Sequence, residues 1–154
     1  MSQVHPTAVI DKSVELESDV TVGPYVVIRG KVQIGSGTKI ESHAVIGNEH
    51  GIVKIGRNNH IFSSAMVGGP PQDLKYNNEP TSLEIGDHNV IREFVTLNTG
   101  TVTGGGVTRI GSHNLLMAYV HVAHDCKLGN HIAIANTTNF AGHVTVEDHV
   151  RIGG

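Results

Sequence analysis

Several features that are common in globular proteins are scarce in this chain of 154 residues. It has no tryptophan, and aromatic residues make up only 4% of it, which argues against a conventional core filled by aromatic side chains. Cys126 is the only cysteine, so an intramolecular disulfide framework is excluded and a reducing compartment is favoured. The formal net charge is −3 and no block of like charges occurs, which argues against non-specific binding of nucleic acid.

Signals for export and for membrane insertion are also missing. Residues 1–13 contain no basic segment followed by an apolar run, so no signal peptide is predicted. No stretch approaches the roughly 18 apolar residues that a membrane span requires. We therefore expect a soluble cytoplasmic protein without a membrane span, in which residues 1–154 form one domain.

The sequence does contain a repeat of six residues. An aliphatic residue returns at every sixth position in four runs, with Phe140 as the one aromatic exception. The fifth position of each hexad is usually small or β-branched, and the second is often glycine. The first positions are Val4, Ile10, Leu16, Val22, Ile28, Ile34, Ile40, Ile46, Ile55, Ile61, Val67, Ile85, Ile91, Leu97, Ile110, Leu116, Val122, Leu128, Ile134, Phe140, Val146 and Ile152.

A period of six fits neither an α-helix nor a simple array of hairpins. It is typical of short strands joined by tight turns, with three hexads forming one triangular coil. The fifth residue of a hexad and the first residue of the next are two positions apart on one strand, so both point inward, and Cys126 is expected to fill the core. The sequence therefore predicts an all-β fold, a left-handed parallel β-helix shaped as a triangular prism. This class is a known exception to the right-handed crossover rule.

Three insertions interrupt the repeat, after the hexads that begin at Ile46, Val67 and Leu97. Spacings of 9, 18 and 13 residues replace the usual 6 at these points. The interrupted hexads are three apart in the count, so all three loops are expected to leave the same corner on successive coils. Loops stacked on one edge of a rigid solenoid are a common place for binding chemistry.

Asparagine occupies the fifth position after each insertion, at Asn59, Asn89 and Asn114. We expect an inward-facing asparagine ladder beneath the loops, because a buried amide must be hydrogen-bonded. The predicted partners are the neighbouring asparagine side chains and the backbone.

Histidine is frequent, and most of the histidine residues have a structural explanation. Six of the eleven histidines occupy the fourth hexad position, which is an outward turn position, and we expect them to be solvated: His43, His88, His113, His131, His143 and His149. The hexad that contains His124 follows the hexad of Leu97 by one coil on the same face, which places His124 beside the stacked loops. A histidine with a pKa of about 6.5 is a suitable general base, and Asp125 can orient its ring. Spacing alone leaves both a catalytic and a structural role for His124 open.

Several segments occur in an order that is similar to one enzyme family. In this respect the chain resembles the acyl-carrier-protein-dependent UDP-N-acetylglucosamine O-acyltransferases, which catalyse the first step of lipid A biosynthesis, and the resemblance covers essentially the whole chain. The combination of QDLKY with HVAHDC is far more specific than the hexapeptide repeat, a fold that hosts many functions. The segments are residues 72–76 (QDLKY), 79–81, 85–93, 104–106, 114–117, 121–126 (HVAHDC) and 141–144.

The resemblance implies transfer of a 3-hydroxyacyl chain from acyl carrier protein to the 3-position of the sugar. His124 would be the general base, Asp125 would orient its imidazole, and the backbone N–H of Gly142 would bind the developing oxyanion. It implies no cofactor other than the phosphopantetheine of the carrier protein, and no metal ligands.

The resemblance also assigns substrate-binding residues and an assembly. Asp73 and Lys75 would contact the nucleotide sugar, Lys75 as a point charge for phosphate and Asp73 as an acceptor for sugar hydroxyls. His121 and His143 would line the pocket. The implied assembly is a homotrimer with active sites between neighbouring subunits.

Two places depart from the family pattern. Many members carry His-Arg where this chain has Asn98-Thr99, and the loop 68–71 is atypical. Both border the expected pocket, so the acceptor is left open between UDP-N-acetylglucosamine and its 3-amino analogue. The family also continues into a helical C-terminal region, which leads us to expect that this chain is a C-terminally truncated β-helix domain.

Two other functions are compatible with the repeat. A zinc carbonic anhydrase-like trimer would use histidines as ligands of an open metal site, and stoichiometric zinc in chelator-washed protein would support it. A catalytically inert solenoid would bind no UDP-sugar although its fold is intact.

Overall fold

The computed structural model describes residues 1–154, which form a left-handed parallel β-helix, as the repeat predicts. Its 22 short strands are grouped in three parallel sheets. Sheet A contains β1 (Gln3–Val4), β4 (Thr21–Val22), β7 (Lys39–Ile40), β10 (His60–Ile61), β13 (Val90–Ile91), β16 (Leu115–Leu116), β19 (Ala133–Ile134) and β22 (Arg151–Ile152). Sheet B contains β2 (Val9–Ile10), β5 (Val27–Ile28), β8 (Val45–Ile46), β11 (Met66–Gly69), β14 (Thr96–Asn98), β17 (His121–Val122) and β20 (Asn139–Phe140). Sheet C contains β3 (Glu15–Leu16), β6 (Lys31–Ile34), β9 (Ile52–Ile55), β12 (Ser82–Ile85), β15 (Val107–Ile110), β18 (Lys127–Leu128) and β21 (Thr145–Val146).

The first hexad positions form columns inside the prism. Strands three apart in the chain pair in parallel, so that Val67 lies between Ile46 and Leu97 in the register of sheet B. One cluster of 29 buried hydrophobic residues contains the first-position residues from Val22 to Val146 and runs through the interior. Complete burial of an aliphatic side chain contributes roughly 1.5–3 kcal/mol, so stacked aliphatic residues take the place of a conventional aromatic core.

Tight turns at the corners explain which residues occupy the fourth hexad position. The backbone there is left-handed, with positive φ angles at fourteen residues other than glycine that occupy this position. Asparagine, aspartate and histidine tolerate this region better than most residues. All six histidines at this position are exposed, as predicted.

The three insertions leave one edge of the prism, which confirms the prediction from the hexad count. This edge, the BC corner, is where the chain passes from sheet B to sheet C. Its loops comprise residues 47–51, 70–81 and 99–106, and the last contains a 3₁₀ helix at Val102–Gly104. With three residues, this helix is far too short to cross a bilayer, and the structure has no other helix.

The asparagine ladder forms, but it does not lie beneath the loops. The Nδ2 atom of Asn89 donates to Oδ1 of Asn59 at 3.0 Å, and Oδ1 of Asn89 accepts from the backbone N–H of Asn114 at 3.0 Å. The three asparagines follow the turn between sheets C and A, which we call the CA corner. The predicted position was wrong because the chain crosses sheet C before it reaches the fifth position of the new hexad.

Candidate active site

His124 and Asp125 lie in the BC corner, one coil beyond the loop 99–106. They occupy the short turn between β17 and β18. Nδ1 of His124 is 2.8 Å from Oδ2 of Asp125. The Asp125 side chain is 1% exposed and that of His124 is 15% exposed, so the carboxylate is enclosed while the imidazole reaches the surface.

The loop 99–106 holds the Asp125 carboxylate in place. Thr101 donates its backbone N–H to Oδ1 at 2.8 Å and its hydroxyl to Oδ2 at 2.6 Å. Gly104 lies against the carboxyl carbon so closely that a Cβ atom there would collide with it. The backbone N–H of Asp125 donates to Oγ1 of Thr108 at 2.8 Å, which fixes the residue from the other side.

These contacts determine the charge of Asp125. Burial by itself raises the pKa of the carboxyl, but the hydrogen bonds from Thr101 and from His124 outweigh burial, and the pKa is lowered. Asp125 is therefore an anion at neutral pH, and it accepts the hydrogen of Nδ1. This leaves the lone pair of His124 on Nε2, which has no hydrogen-bond partner within the chain.

Gly142 lies against the other side of the imidazole. A Cβ atom at this position would be 2.5 Å from Cε1 of His124 and 2.8 Å from its Nε2, so only glycine fits beside the ring. The backbone N–H of Gly142 has no acceptor within the chain. Both the N–H group of Gly142 and the Nε2 atom of the adjacent His124 ring are thus unused within the chain.

His143 and His121 lie on either side of this pair. The ring of His143 is perpendicular to that of His124, with 5.2 Å between centroids, and its Nε2 is 3.9 Å from Oδ2 of Asp125. His121 projects from β17, and its Nδ1 is 2.6 Å from Oγ1 of Thr96 on the neighbouring strand. Burial lowers the pKa of His121, which favours its neutral form.

Asp73 and Lys75 belong to the loop 70–81, and they line a small recess beside Thr101. Oδ1 of Asp73 accepts from the backbone N–H of Lys75 at 2.9 Å, so part of this carboxylate serves a local turn. Lys75 is exposed. Both residues lie at the corner that carries His124, and neither side chain hydrogen-bonds to His124 within one chain.

His124, Asp125 and His143 are also the group best placed to hold a metal ion. One ligand atom from each lies within 4.8 Å of the others. The donor set does not resemble an open zinc site with three histidines, because Oδ2 of Asp125 already accepts from Thr101 and His124 and because His121 contacts Thr96 instead.

Sequence analysis missed the three threonines that support these side chains. Thr96 contacts His121, Thr101 holds Asp125, and Thr108 accepts from the Asp125 backbone. The only sequence signal was at Thr101, which precedes the 3₁₀ helix and accepts from the N–H of Gly104 at 3.2 Å, the pattern of an N-cap threonine.

Comparison with known proteins identifies relatives along nearly the whole chain. Residues 13–48 match the family model described as bacterial transferase hexapeptide (six repeats). The acyl-[acyl-carrier-protein]–UDP-N-acetylglucosamine O-acyltransferase of Thermodesulfovibrio yellowstonii is 48% identical over 148 residues, which are 96% of this chain and 56% of that protein.

Solved structures of similar proteins share the fold. LpxA from Acinetobacter baumannii has 52% sequence identity and a TM-score of 0.95, over 98% of this chain and 57% of that one. The UDP-N-acetylglucosamine acyltransferase of Francisella novicida has 39% identity and a TM-score of 0.93, over 97% and 53% of the two chains. The chain thus spans a little over half the length of the relatives it matches. Through nearly all of its own length, it is similar to the UDP-N-acetylglucosamine O-acyltransferases.

Proposed function

We propose that this chain carries the catalytic base of an acyltransferase that moves a 3-hydroxyacyl group from acyl carrier protein to the 3-position of UDP-N-acetylglucosamine, the first step of lipid A biosynthesis. The observation that supports this most directly is the row of contacts from Thr101 through Asp125 to His124, which leaves Nε2 of His124 free to accept a proton. The reaction takes place in the cytoplasm, and the enzyme needs no metal and no cofactor of its own.

His124 acts first as a base and then as an acid. Its Nε2 removes the proton of the sugar 3-hydroxyl while that oxygen attacks the thioester carbonyl. The Asp125 carboxylate stabilises the imidazolium that forms. When the C–S bond breaks, the imidazolium returns the proton to the sulfur of the phosphopantetheine, which leaves as a thiol.

The backbone N–H of Gly142 binds the oxyanion of the tetrahedral intermediate. Two observations support this role. The N–H group has no acceptor within the chain, and Gly142 lies beside His124. A donor of this kind contributes about 3 kcal/mol to the stabilisation of the transition state.

The nucleotide sugar binds along the BC corner. Lys75 contacts its phosphates, Asp73 contacts its hydroxyls, and His121 and His143 line the pocket. Asp73 and Lys75 make no hydrogen bond to His124 within one chain, which is consistent with a homotrimer in which the loop of one subunit serves the histidine of the next. Acyl carrier protein is the donor partner.

A transfer assay tests the proposal. The chain, and a chimera that appends the remaining C-terminal part of the A. baumannii relative, are incubated with 3-hydroxyacyl carrier protein and with either UDP-N-acetylglucosamine or its 3-amino analogue. We expect an ester with the first acceptor or an amide with the second. If neither protein forms either product, the proposed activity is wrong.

A further inference from the structure

Four histidines form a stacked column on the CA corner, which is not the corner that carries His124. They are His88, His113, His131 and His149, one on each of four successive coils, and we call them the histidine ladder. The ring centroids of neighbouring members are 4.9, 4.9 and 5.0 Å apart, and their planes differ by only 8°, 6° and 3°. Their position follows from the backbone, since each occupies the left-handed turn position of its coil.

The ring nitrogens of the ladder have no partners within the chain. Hydrogen bonds and ion pairs of imidazole nitrogens elsewhere in the molecule involve other histidines: His5, His60, His121, His124 and His143. All four ladder residues are exposed. Free and accessible imidazole nitrogens in a fixed row are ligands for borderline transition metals.

Hydrogen bonds between successive coils hold the backbone beneath the ladder. Asn89 follows His88, and Asn114 follows His113, and both asparagines belong to the buried ladder of amides. The backbone N–H groups of His113 and His131 donate to the preceding coil at 2.9 and 3.0 Å. The spacing of the rings is therefore close to the distance between parallel strands, about 4.8 Å, and it is preserved along the column.

A groove of about 320 Å³ runs beside the ladder, along the outer face of sheet A. Val90, Leu115 and Ala133 are among the residues that line it, and Arg151 is its only permanently charged side chain. No carboxylate lines the groove, so its chemistry does not favour a hard cation such as Mg²⁺ or Ca²⁺.

We propose that the histidine ladder binds late first-row divalent metal ions such as Zn²⁺ and Ni²⁺, each held between two neighbouring imidazoles. Metal–nitrogen bonds of about 2.0–2.1 Å at a tetrahedral angle place the two nitrogens roughly 3.4 Å apart. Because the lone pair of an imidazole nitrogen lies in the ring plane, two rings stacked at 4.9 Å must tilt towards each other, with each ring tip moving by roughly 0.8 Å, which exposed side chains can do. Water or a second molecule completes the coordination.

The geometry limits the number of ions. Rings two steps apart are too distant to share an ion, so only neighbouring pairs can chelate. Two ions fit when they occupy the pairs His88–His113 and His131–His149, and one ion fits when it occupies the central pair. A bound ion joins two successive coils and so stabilises this part of the solenoid.

Two double variants with the same number of histidines removed test the proposal. His113→Asn with His131→Asn leaves no neighbouring pair, whereas His88→Asn with His149→Asn leaves the central pair intact. Asparagine is a suitable replacement because Asn58 occupies the same turn position on the preceding coil, with a φ of 53°. Circular dichroism in the presence of a chelator checks that both variants fold.

Bound Zn²⁺ and Ni²⁺ are measured by equilibrium dialysis and metal analysis, with Mg²⁺ as the control ion. We expect the unaltered chain to bind the most ions, His88→Asn/His149→Asn to bind one ion more than His113→Asn/His131→Asn, and Zn²⁺ to raise the melting temperature in the same order. Any ion at His124, Asp125 and His143 contributes equally to all three proteins. Equal binding by the two double variants, or no loss in either, would overturn the proposal.

Discussion

At the scale of single residues, the environment of His124 distinguishes it from the other histidines of the chain. Those at the turns are exposed, whereas the imidazole of His124 is held between the Asp125 carboxylate and the Cα of Gly142. A base of this kind typically contributes a factor of about 100 to 10,000 to the rate.

Replacement of His124 by alanine is therefore expected to lower kcat at least about 100-fold in the transfer assay. His43→Asn is the matched control, since His43 is an exposed turn histidine on another corner. A His124→Ala variant with the rate of the unaltered protein would refute the assignment of the base.

Thr101 affects stability through the charge of Asp125. The folded-state pKa of Asp125 is lowered, so its contribution to stability is complete above the unfolded-state pKa of about 3.9 and is lost as the pH falls through the folded-state value. Thr101→Val removes the hydroxyl donor and should lower the free energy of unfolding at pH 7 by about 2 kcal/mol. Urea titrations from pH 7 to pH 3 should show this difference shrink towards acid, and a difference independent of pH would contradict the explanation.

Gly142 is expected to be intolerant of even the smallest side chain. The Cβ atom of Gly142→Ala would be 2.5 Å from Cε1 of His124, so the ring must rotate away from its position. We expect kcat to fall by more than tenfold, about 1.4 kcal/mol in the activation barrier. Gly153→Ala is the control, because no atom lies within 4 Å of its Cβ position, and equal activity of the two variants would show that the contact is unimportant.

At the scale of strands and turns, the buried asparagine ladder replaces side-chain packing inside the CA corner. The side chain of Asn89 makes three hydrogen bonds. Its Oδ1 accepts from the backbone N–H of Asn114, and its Nδ2 donates to Oδ1 of Asn59 and to the carbonyl of Gly111. Each partner loses its bond if the amide is removed, and an unsatisfied buried group costs about 1–3 kcal/mol.

Asn89→Ala is therefore expected to lower the free energy of unfolding by about 3 kcal/mol, measured by urea denaturation. Asn139→Ala on the outer face of β20 serves as the control and should change it by less than about 0.5 kcal/mol, as surface substitutions usually do. Similar losses for both variants would mean that the ladder has no special role.

The hexad pattern predicted the strands well because every strand except β11 ends at or next to a first-position residue. It did not predict that β9, β12 and β15 begin earlier, so that Val53, Leu83 and Thr108 also face the core. These residues follow the insertions, where the six-residue spacing is interrupted and does not predict which side chains point inward. A spacing rule works only while the chain keeps its period.

Side-chain contacts between coils were harder to predict. The sequence placed His124 at the corner with the loops, but nothing in it linked Thr101 to Asp125, since loop geometry decides that contact. Exposure of the turn histidines was predicted correctly, whereas the stacking of four of them depends on rotamers that a sequence pattern does not contain.

At the scale of the whole molecule, a flat-sided prism with loops on one edge is suited to a cyclic assembly. In the proposed function, the loop 70–81 of one subunit serves the His124 of the next, so a complete site needs a neighbour. We expect analytical ultracentrifugation to find a species of three 16.4-kDa chains. A monomer at all accessible concentrations would contradict the proposed trimer.

The three insertions differ in length, yet the strands that follow them keep the same parallel register with their neighbours. Each loop is anchored at both ends by pairs of strands, and changes in its length are absorbed outside the prism. Mutations that lengthen, shorten or rewrite the loops 47–51 and 70–81 can therefore change the surface around the site while the imidazole of His124 keeps its place, whereas the loop 99–106 is constrained because Thr101 holds Asp125. In such a scaffold, acceptor specificity can diverge among homologues without new catalytic machinery.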